Sequence, residues 1–313
     1  MQTARLVYLS VICFLAGQFS LFAAQEAPQQ TLESLRPGKV APGRPDQFTW
    51  PVSQNEDIGN IELVRKETPP PTLSVATAQS FFYTDNVLLT EANRIRSIGW
   101  NGWFNATLIP YSTFRWTPSI GLEQHLFRYN DSSSSDFDAQ ILTFASTLKL
   151  NEERTWSWTI SYSLWRLYSV HGEDEEFYKQ GELVNSLSWY RSLTEDGNLG
   201  LKLSTALAWR HVSPAQFDRV SAELGAGLVF YPLSTLEISP FVNVAARYYP
   251  TDTDAIHNRR DFTLQSGANV TWRPHKNFSV GCAFAWVGNY SNVDTLDYAV
   301  LLPFVGVGAQ VSF

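Results

Sequence analysis

The sequence is poor in the features that mark most exported or membrane-bound chains. It has 313 residues but only two cysteines, Cys13 and Cys282, so it has no disulfide framework with which to staple a small extracellular fold. Long apolar runs are missing as well: mean hydropathy is −0.16, and beyond the first two dozen residues no stretch approaches the roughly 20 apolar residues that a membrane helix requires. Basic charge is scarce, with 23 Lys and Arg against 30 Asp and Glu, which argues against a nucleic-acid partner because phosphate contacts need clustered cations. There is no phosphate-cradling glycine loop or dinucleotide fingerprint, and the dispersed histidines lack metal-ligand spacing. No cofactor or metal is therefore expected.

The one apolar run, Val7 to Phe22, follows Arg5 and is followed by Ala23, Ala24 and polar residues, the order of a secretory leader. Residues 1–24 read as a signal peptide, although Phe22 is larger than the preferred residue at its position. Without Arg5, 22 basic residues face 30 acidic ones, a balance of −8. Ile12 before Cys13 makes a poor lipid-attachment box. Residues 25–71 then carry Pro37, Pro42, Pro45, Pro51 and the run Pro69-Pro70-Pro71. This composition reads as a proline-rich periplasmic arm, with a plug entering the lumen as the alternative.

From Thr72 onward the pattern has a period of two. Trp156, Trp158, Ile160, Tyr162 and Leu164 alternate with Ser157, Thr159, Ser161 and Ser163. On a helix these residues would scatter; on a strand they make one apolar and one small polar face. Equivalent segments predict strands near 72–83, 97–109, 113–129, 136–150, 155–170, 177–192, 199–212, 217–231, 236–249, 260–273, 278–290 and 298–313. Each exceeds the roughly 9–11 residues of a tilted membrane strand, and the number is even. The expectation is an all-β fold, a closed antiparallel transmembrane β-barrel of about 12 strands over 72–313. It must close, because an open edge in hydrocarbon leaves backbone groups unpaired. Connections alternate between short turns and longer, more acidic loops, which places the short turns on the periplasmic side of the bacterial outer membrane.

Large aromatics on the apolar parity fall at strand ends. Phe114, Trp116, Trp156, Trp189, Phe230, Trp272 and Phe278 lie near the short turns, and Trp100, Tyr168, Trp209, Tyr248, Phe262 and Trp286 near the long loops. Two such belts suit rings held at two headgroup layers. The polar parity points Arg115, Glu123, His125, Lys149, Glu182, Lys202, Arg210, Arg219, Glu223, Glu237, Arg247, Asp261 and Arg273 into the lumen. Those charges either compensate one another within a filled barrel or line a narrow pore that selects solutes. Arg115, Lys149, Lys202 and Arg273 gather at the periplasmic mouth, opposed there by Glu237, so a mild anion preference is expected. The outer loops hold Asp131, Asp136, Glu173, Asp174, Glu175, Glu176, Asp252 and Asp254, a solvated acidic rim that could reach lipopolysaccharide through divalent cations.

The final strand alternates Ala299, Leu301, Val305, Val307, Ala309 and Val311 up to Phe313. It resembles the terminal-aromatic signature of bacterial outer-membrane barrels, which implies recognition of Phe313 and its strand by the barrel-assembly machinery. The segment Ser80-Phe81-Phe82-Tyr83-Thr84-Asp85-Asn86-Val87 is similar to the aromatic-Asp-Asn-Val opening of porin-like β-barrel families of Gram-negative bacteria. That resemblance implies an outer-membrane barrel, and the expected function is a narrow porin-like channel for small hydrophilic solutes. The alternative is a structural or accessory barrel in surface attachment or polymer export, with the arm docking a periplasmic partner. An enzyme is the third reading. His211-Val212-Ser213 has the spacing of the outer-membrane phospholipase family, but Pro214-Ala215 follows where that family carries Asn-Gly. Strand residues 220–230 offer no orienting Asn. Omptin-like proteolysis would need paired carboxylates and an Asp–His pair, and His125, His171 and His257 are scattered.

Overall fold

The computed structural model describes residues 73–87, 96–113, 115–131, 133–151, 155–170, 176–213, 215–251, 258–275, 277–293 and 296–313. The leader (1–24) and the proline-rich arm (25–71) lie outside the described residues, as do Phe114, His171, His257 and the loop acids at 173–175, 252 and 254.

Twelve strands form: β1 (Leu73–Thr84), β2 (Ser97–Leu108), β3 (Trp116–Tyr129), β4 (Phe137–Lys149), β5 (Trp156–Ser169) and β6 (Glu176–Ser192). They continue as β7 (Leu199–Ser213), β8 (Arg219–Leu233), β9 (Leu236–Tyr248), β10 (Arg260–His275), β11 (Phe278–Ser291) and β12 (Tyr298–Ser312). Each pairs antiparallel with its sequence neighbours, and β1 pairs with β12 to close the barrel. The closing seam runs from Ser74 opposite Ser312 to Phe82 opposite Phe304. The backbone of Phe313 extends it, donating to Leu73 O at 2.8 Å. Closure leaves no edge, the condition for a sheet in hydrocarbon.

The strands tilt. A line of directly opposed residues starts at Ser74, near the short-turn end of β1. It passes Thr107, Gly121, Thr143, Ser163 and Glu182 and reaches Arg210 and Arg219 at the long-loop ends of β7 and β8. A line perpendicular to the strands that climbs the wall is what tilt in a barrel means.

Small departures from the expected boundaries have local causes. β3 starts at Trp116 because Thr113 folds a turn beneath it: Trp116 N donates to Thr113 Oγ1 at 2.9 Å and Thr113 N to Trp116 O at 2.8 Å. β8 and β10 run further than their periodicity indicates, and their register shifts between Phe230 and Leu233 and between Trp272 and His275. Pro232 and Pro274 sit in those gaps, and a proline has no N–H to give the ladder. In the turn after β6, Gly197 adopts φ +71°, a left-handed conformation that only glycine takes without strain. Asp196 accepts from Asn198 N at 3.1 Å beside it. Hydrogen bonds from Thr194 and Asn198 hold this exposed carboxyl below its usual range.

Outward positions are predominantly apolar through the middle of the wall. Phe81, Leu207, Trp209 and Leu224 are each about 60% exposed, and a continuous apolar band of this kind is a lipid-facing surface. Polar atoms on that surface are satisfied in pairs. Trp100 Nε1 donates to Gln79 Oε1 at 2.8 Å, Trp158 Nε1 to Asn185 Oδ1 at 2.6 Å and Trp116 Nε1 to Ser146 Oγ at 2.7 Å. An unpartnered amide or indole in hydrocarbon would cost several kcal/mol.

Candidate functional site: the barrel lumen

The inward face divides into two halves that differ in chemistry. Toward the short turns it is lined by small hydroxyl residues on β3 to β6. They bridge neighbouring strands: Thr143 to Ser163 at 3.1 Å, Thr147 to Thr159 at 3.0 Å and Ser157 to Ser188 at 2.7 Å. Short side chains leave room, so Lys202 is exposed within this vestibule and Lys149 half-buried, with Arg115 exposed at the rim. Arg273 is not a lone cation there. Its Nη1 donates to Glu237 Oε2 at 3.0 Å.

Toward the long loops the lumen is packed. Phe127, Tyr129, Phe137, Ile141, Trp165, Leu167 and Tyr178 are at most 6% exposed and form one cluster with Phe82 against it. Phe127 stacks on Phe137 with ring centroids 4.6 Å apart. The period-two pattern assigns these positions to a polar interior, and the structure corrects that: at this end both parities are apolar. The signal was present in Trp165 and Leu167, which break the serine row of β5 on its polar parity. Gly99 belongs to the same device. The ring of Phe82 lies over it, so a Cβ there would collide with Phe82 Cζ.

Beside this cluster, toward the loop ends of β6 to β10, lies a layer of charge. Arg210 donates to Glu182 Oε1 through both Nε (2.9 Å) and Nη2 (2.6 Å). Tyr178 OH donates to Gln180 Oε1 at 2.6 Å beside that pair. Arg259 Nε donates to Asp261 Oδ1 at 3.0 Å, and its guanidinium lies 4.0 Å over the Tyr249 ring. Arg219, at 1% exposure, and Arg247, at 4%, complete the wall. Glu223 accepts from Ser221 Oγ at 3.1 Å one step nearer the vestibule. Arg259 and Tyr249 are not in the sequence-derived set, because they sit beyond the strand ends where periodicity stops. Below this layer a cavity of about 310 Å³ is lined by Glu182, Arg210, Glu223, Ser204, Asn243 and Gln265.

Across the lumen, Glu123 Oε2 accepts from Trp103 Nε1 at 3.1 Å. His125, 4% exposed, lies 3.6 Å from the same oxygen and stacks on Phe127 at 5.8 Å between centroids. Trp103 faces inward, and sequence alone gave it no role. Of the aromatic belts, Trp116, Trp156 and Trp272 at the short-turn end and Trp209 at the loop end are 41 to 59% exposed on the outer surface. Trp189 lies beside Trp156, with centroids 6.1 Å apart. Trp100 and Trp286 are half-buried against Gly102 and Gly288.

The acidic rim is partly structural: Asp136, 8% exposed, accepts from Tyr129 N at 2.7 Å and folds the β3–β4 connection. The His211 region gains a partner unseen in the strand sequence. Asp218 Oδ2 lies 2.9 Å from His211 Nδ1, while its Oδ1 accepts from Val212 N at 2.6 Å. An orienting group therefore exists, supplied by the turn before β8. Ser213 nevertheless makes no hydrogen bond to His211, so nucleophile and base are not joined. No group of three or more metal-ligating side chains occurs among the described residues.

No known family profile matches this sequence, and no curated protein matches it either. Solved structures do. An outer-membrane channel from Pseudomonas putida F1 superposes with a TM-score of 0.55 over 80% of this chain and 100% of its own, at 10% identity. LpxR from Salmonella typhimurium gives 0.43, covering 74% and 99% at 8% identity. An anion-selective porin from Comamonas acidovorans gives 0.40, covering 77% and 99% at 8% identity. The first of these carries the likeness, and it is one of fold: a closed antiparallel barrel of the outer-membrane kind.

Proposed function

We propose that this chain is a narrow outer-membrane channel for small hydrophilic solutes, with a mild preference for anions. In the outer membrane its short turns face the periplasm. Solutes then meet a hydroxyl-lined vestibule before the layer of charge.

The observation that carries the reading is the sign of that lining. Among the described residues, the inward side of the wall holds Arg115, Lys149, Lys202, Arg210, Arg219, Arg247, Arg259 and Arg273 against Glu123, Glu182, Glu223, Glu237 and Asp261. Eight cations against five acids leave a positive excess in a confined, poorly screened space. Charged rings of this kind set which ions pass. Lys149 and Lys202 lie with Arg115 toward the vestibule opening, where they raise the local anion concentration before the constriction.

The packed loop-end half favours a second reading, a barrel that does not conduct and serves as a surface or export scaffold. Planar-bilayer recording of the refolded chain separates the two. Small discrete conductance steps are expected, with a reversal potential in a salt gradient displaced toward the anion. Lys149→Glu with Lys202→Glu should move that potential toward the cation. Absence of steps would leave the scaffold, and an unshifted potential would remove the anion preference.

A further inference from the structure

The outer surface of the wall is not apolar everywhere. On β3 to β7, near the long loops, it carries Arg128, Arg166, Lys179 and His211. Gln140 opposes Arg166, Arg166 opposes Lys179 and Lys179 opposes Ser213, so four polar side chains stand abreast on adjoining strands. At a strand spacing of about 4.8 Å this row is roughly 15 Å wide. Acids stand one row nearer the loops, and each holds a base: Arg128 Nη1 lies 2.7 Å from Asp138 Oδ1 and Arg166 Nε 3.6 Å from Glu176 Oε2. His211 is held by Asp218 at 2.9 Å. The Lys179 side chain is exposed and makes no ion pair or hydrogen bond with the described residues.

Around the rest of the barrel the outward positions at this depth include Ile98, Val220, Tyr248, Phe262, Tyr290 and Leu301, and the charges there stand singly at strand edges among the described residues, Arg96 before β2, Arg260 on β10 and Asp297 before β12. If acyl chains and freely exchanging headgroups were all that this surface met, its chemistry should be the same on every side. Charge clustered on adjoining strands in one sector, on a face that otherwise greets hydrocarbon, marks a bound partner carrying complementary charge at the headgroup level. Arg166 and Lys179 lie deeper than Asp138 and Glu176, so they are placed to reach anions at the boundary between headgroups and acyl chains. The apolar strand surface beneath them is free to take the chains themselves.

We infer that this sector binds a phosphorylated glycolipid of the outer leaflet, lipopolysaccharide, with Arg166 and Lys179 contacting its phosphates and Arg128 flanking them. The inference rests on the orientation given under Proposed function, since only the outer leaflet offers such a lipid.

The test uses the full chain, refolded in detergent and titrated with purified lipopolysaccharide, with the same lipid after dephosphorylation, and with inorganic phosphate. Wild type should bind the phosphorylated lipid, and Arg166→Ala with Lys179→Ala should weaken binding about tenfold or more, from the attraction that each cation contributes near an anionic surface. Arg166→Lys with Lys179→Arg should restore it. The dephosphorylated lipid should bind wild type and the alanine variant alike, and free phosphate should not compete at equal concentration. Heat-modifiable electrophoretic mobility checks that each variant remains a folded barrel.

Equal binding of the phosphorylated lipid by wild type and the alanine variant would overturn the inference. So would loss of an oligomer without loss of lipid, which would make the sector a contact between copies of the chain. Orientation is read separately, by labelling Asn130→Cys in intact cells with an impermeant maleimide in a Cys282→Ser background. Failure to label there would overturn the orientation, whereas a labelled protein that binds without phosphate dependence would overturn the lipid site alone.

Discussion

The pair formed by Arg210 and Glu182 gives the sharpest test of how the lumen is held. Arg210 is 7% exposed, and both its Nε and Nη2 converge on one oxygen of Glu182. Charge centres about 4 Å apart attract by roughly 4 kcal/mol at an effective dielectric constant near 20. Much of that is offset by the cost of taking both groups out of bulk water. Removing one partner is different, because it leaves the other buried without its counter-charge, a cost of about 3–5 kcal/mol in a dry interior. The adjoining cavity admits solvent to this layer, so about 2–3 kcal/mol is expected for Glu182→Ala. Replacing both residues, Glu182→Leu with Arg210→Met, removes the orphaned charge and should cost under about 1 kcal/mol. Urea unfolding of the barrel in lipid vesicles, followed by tryptophan fluorescence, measures Glu182→Ala, and Glu182→Leu, Arg210→Met and their combination close the double-mutant cycle. If Glu182→Ala costs less than about 0.5 kcal/mol, or if the double variant is as unstable as the sum of the single ones, the pair is not the clamp described. The same Glu182→Ala protein should also show stronger anion preference, since it removes one acid from a lining already rich in arginine.

Three further outcomes follow from the packing. Phe127→Ala removes a ring that is 5% exposed and stacked on Phe137. It should destabilise the barrel by about 3–4 kcal/mol and enlarge single-channel conductance, which bilayer recording would detect. Gly99→Val places a branched side chain where the Phe82 ring lies. It should cost about 1–3 kcal/mol by overpacking, and Phe82→Ala in the same chain should relieve part of it in urea melts. Phe313→Ala removes a ring that is 72% exposed, while the backbone bonds of Phe313 to Leu73 stay. The refolded protein should therefore keep its stability to within about 0.5 kcal/mol, while pulse-chase assays of outer-membrane assembly should show slower insertion.

Strand number, strand limits and the sidedness of residues such as Trp156 or Phe262 could be read directly from the chain. Those properties are local: a two-residue period fixes which way each side chain points as soon as the segment is extended. The requirement that hydrocarbon leave no backbone group unpaired then closes the sheet. The filling of the lumen was not legible in the same way. Trp165, Tyr178 and Phe127 lie on three strands and meet because the barrel curves them toward one another, and nothing in any one strand says what stands across the interior. Partner choice among the charges depends likewise on register between segments 28 or more residues apart, as for Glu182 with Arg210 and Glu237 with Arg273.

The chain by itself determined that alternate residues face lipid and lumen, because side-chain direction is a property of the extended backbone. Only the tertiary structure decided that the loop-end lumen is packed with aromatics, that Arg210 pairs with Glu182 there, and that Arg166 and Lys179 stand side by side on the outer wall. Those facts depend on tilt and register around a closed sheet, quantities set when all twelve strands are joined.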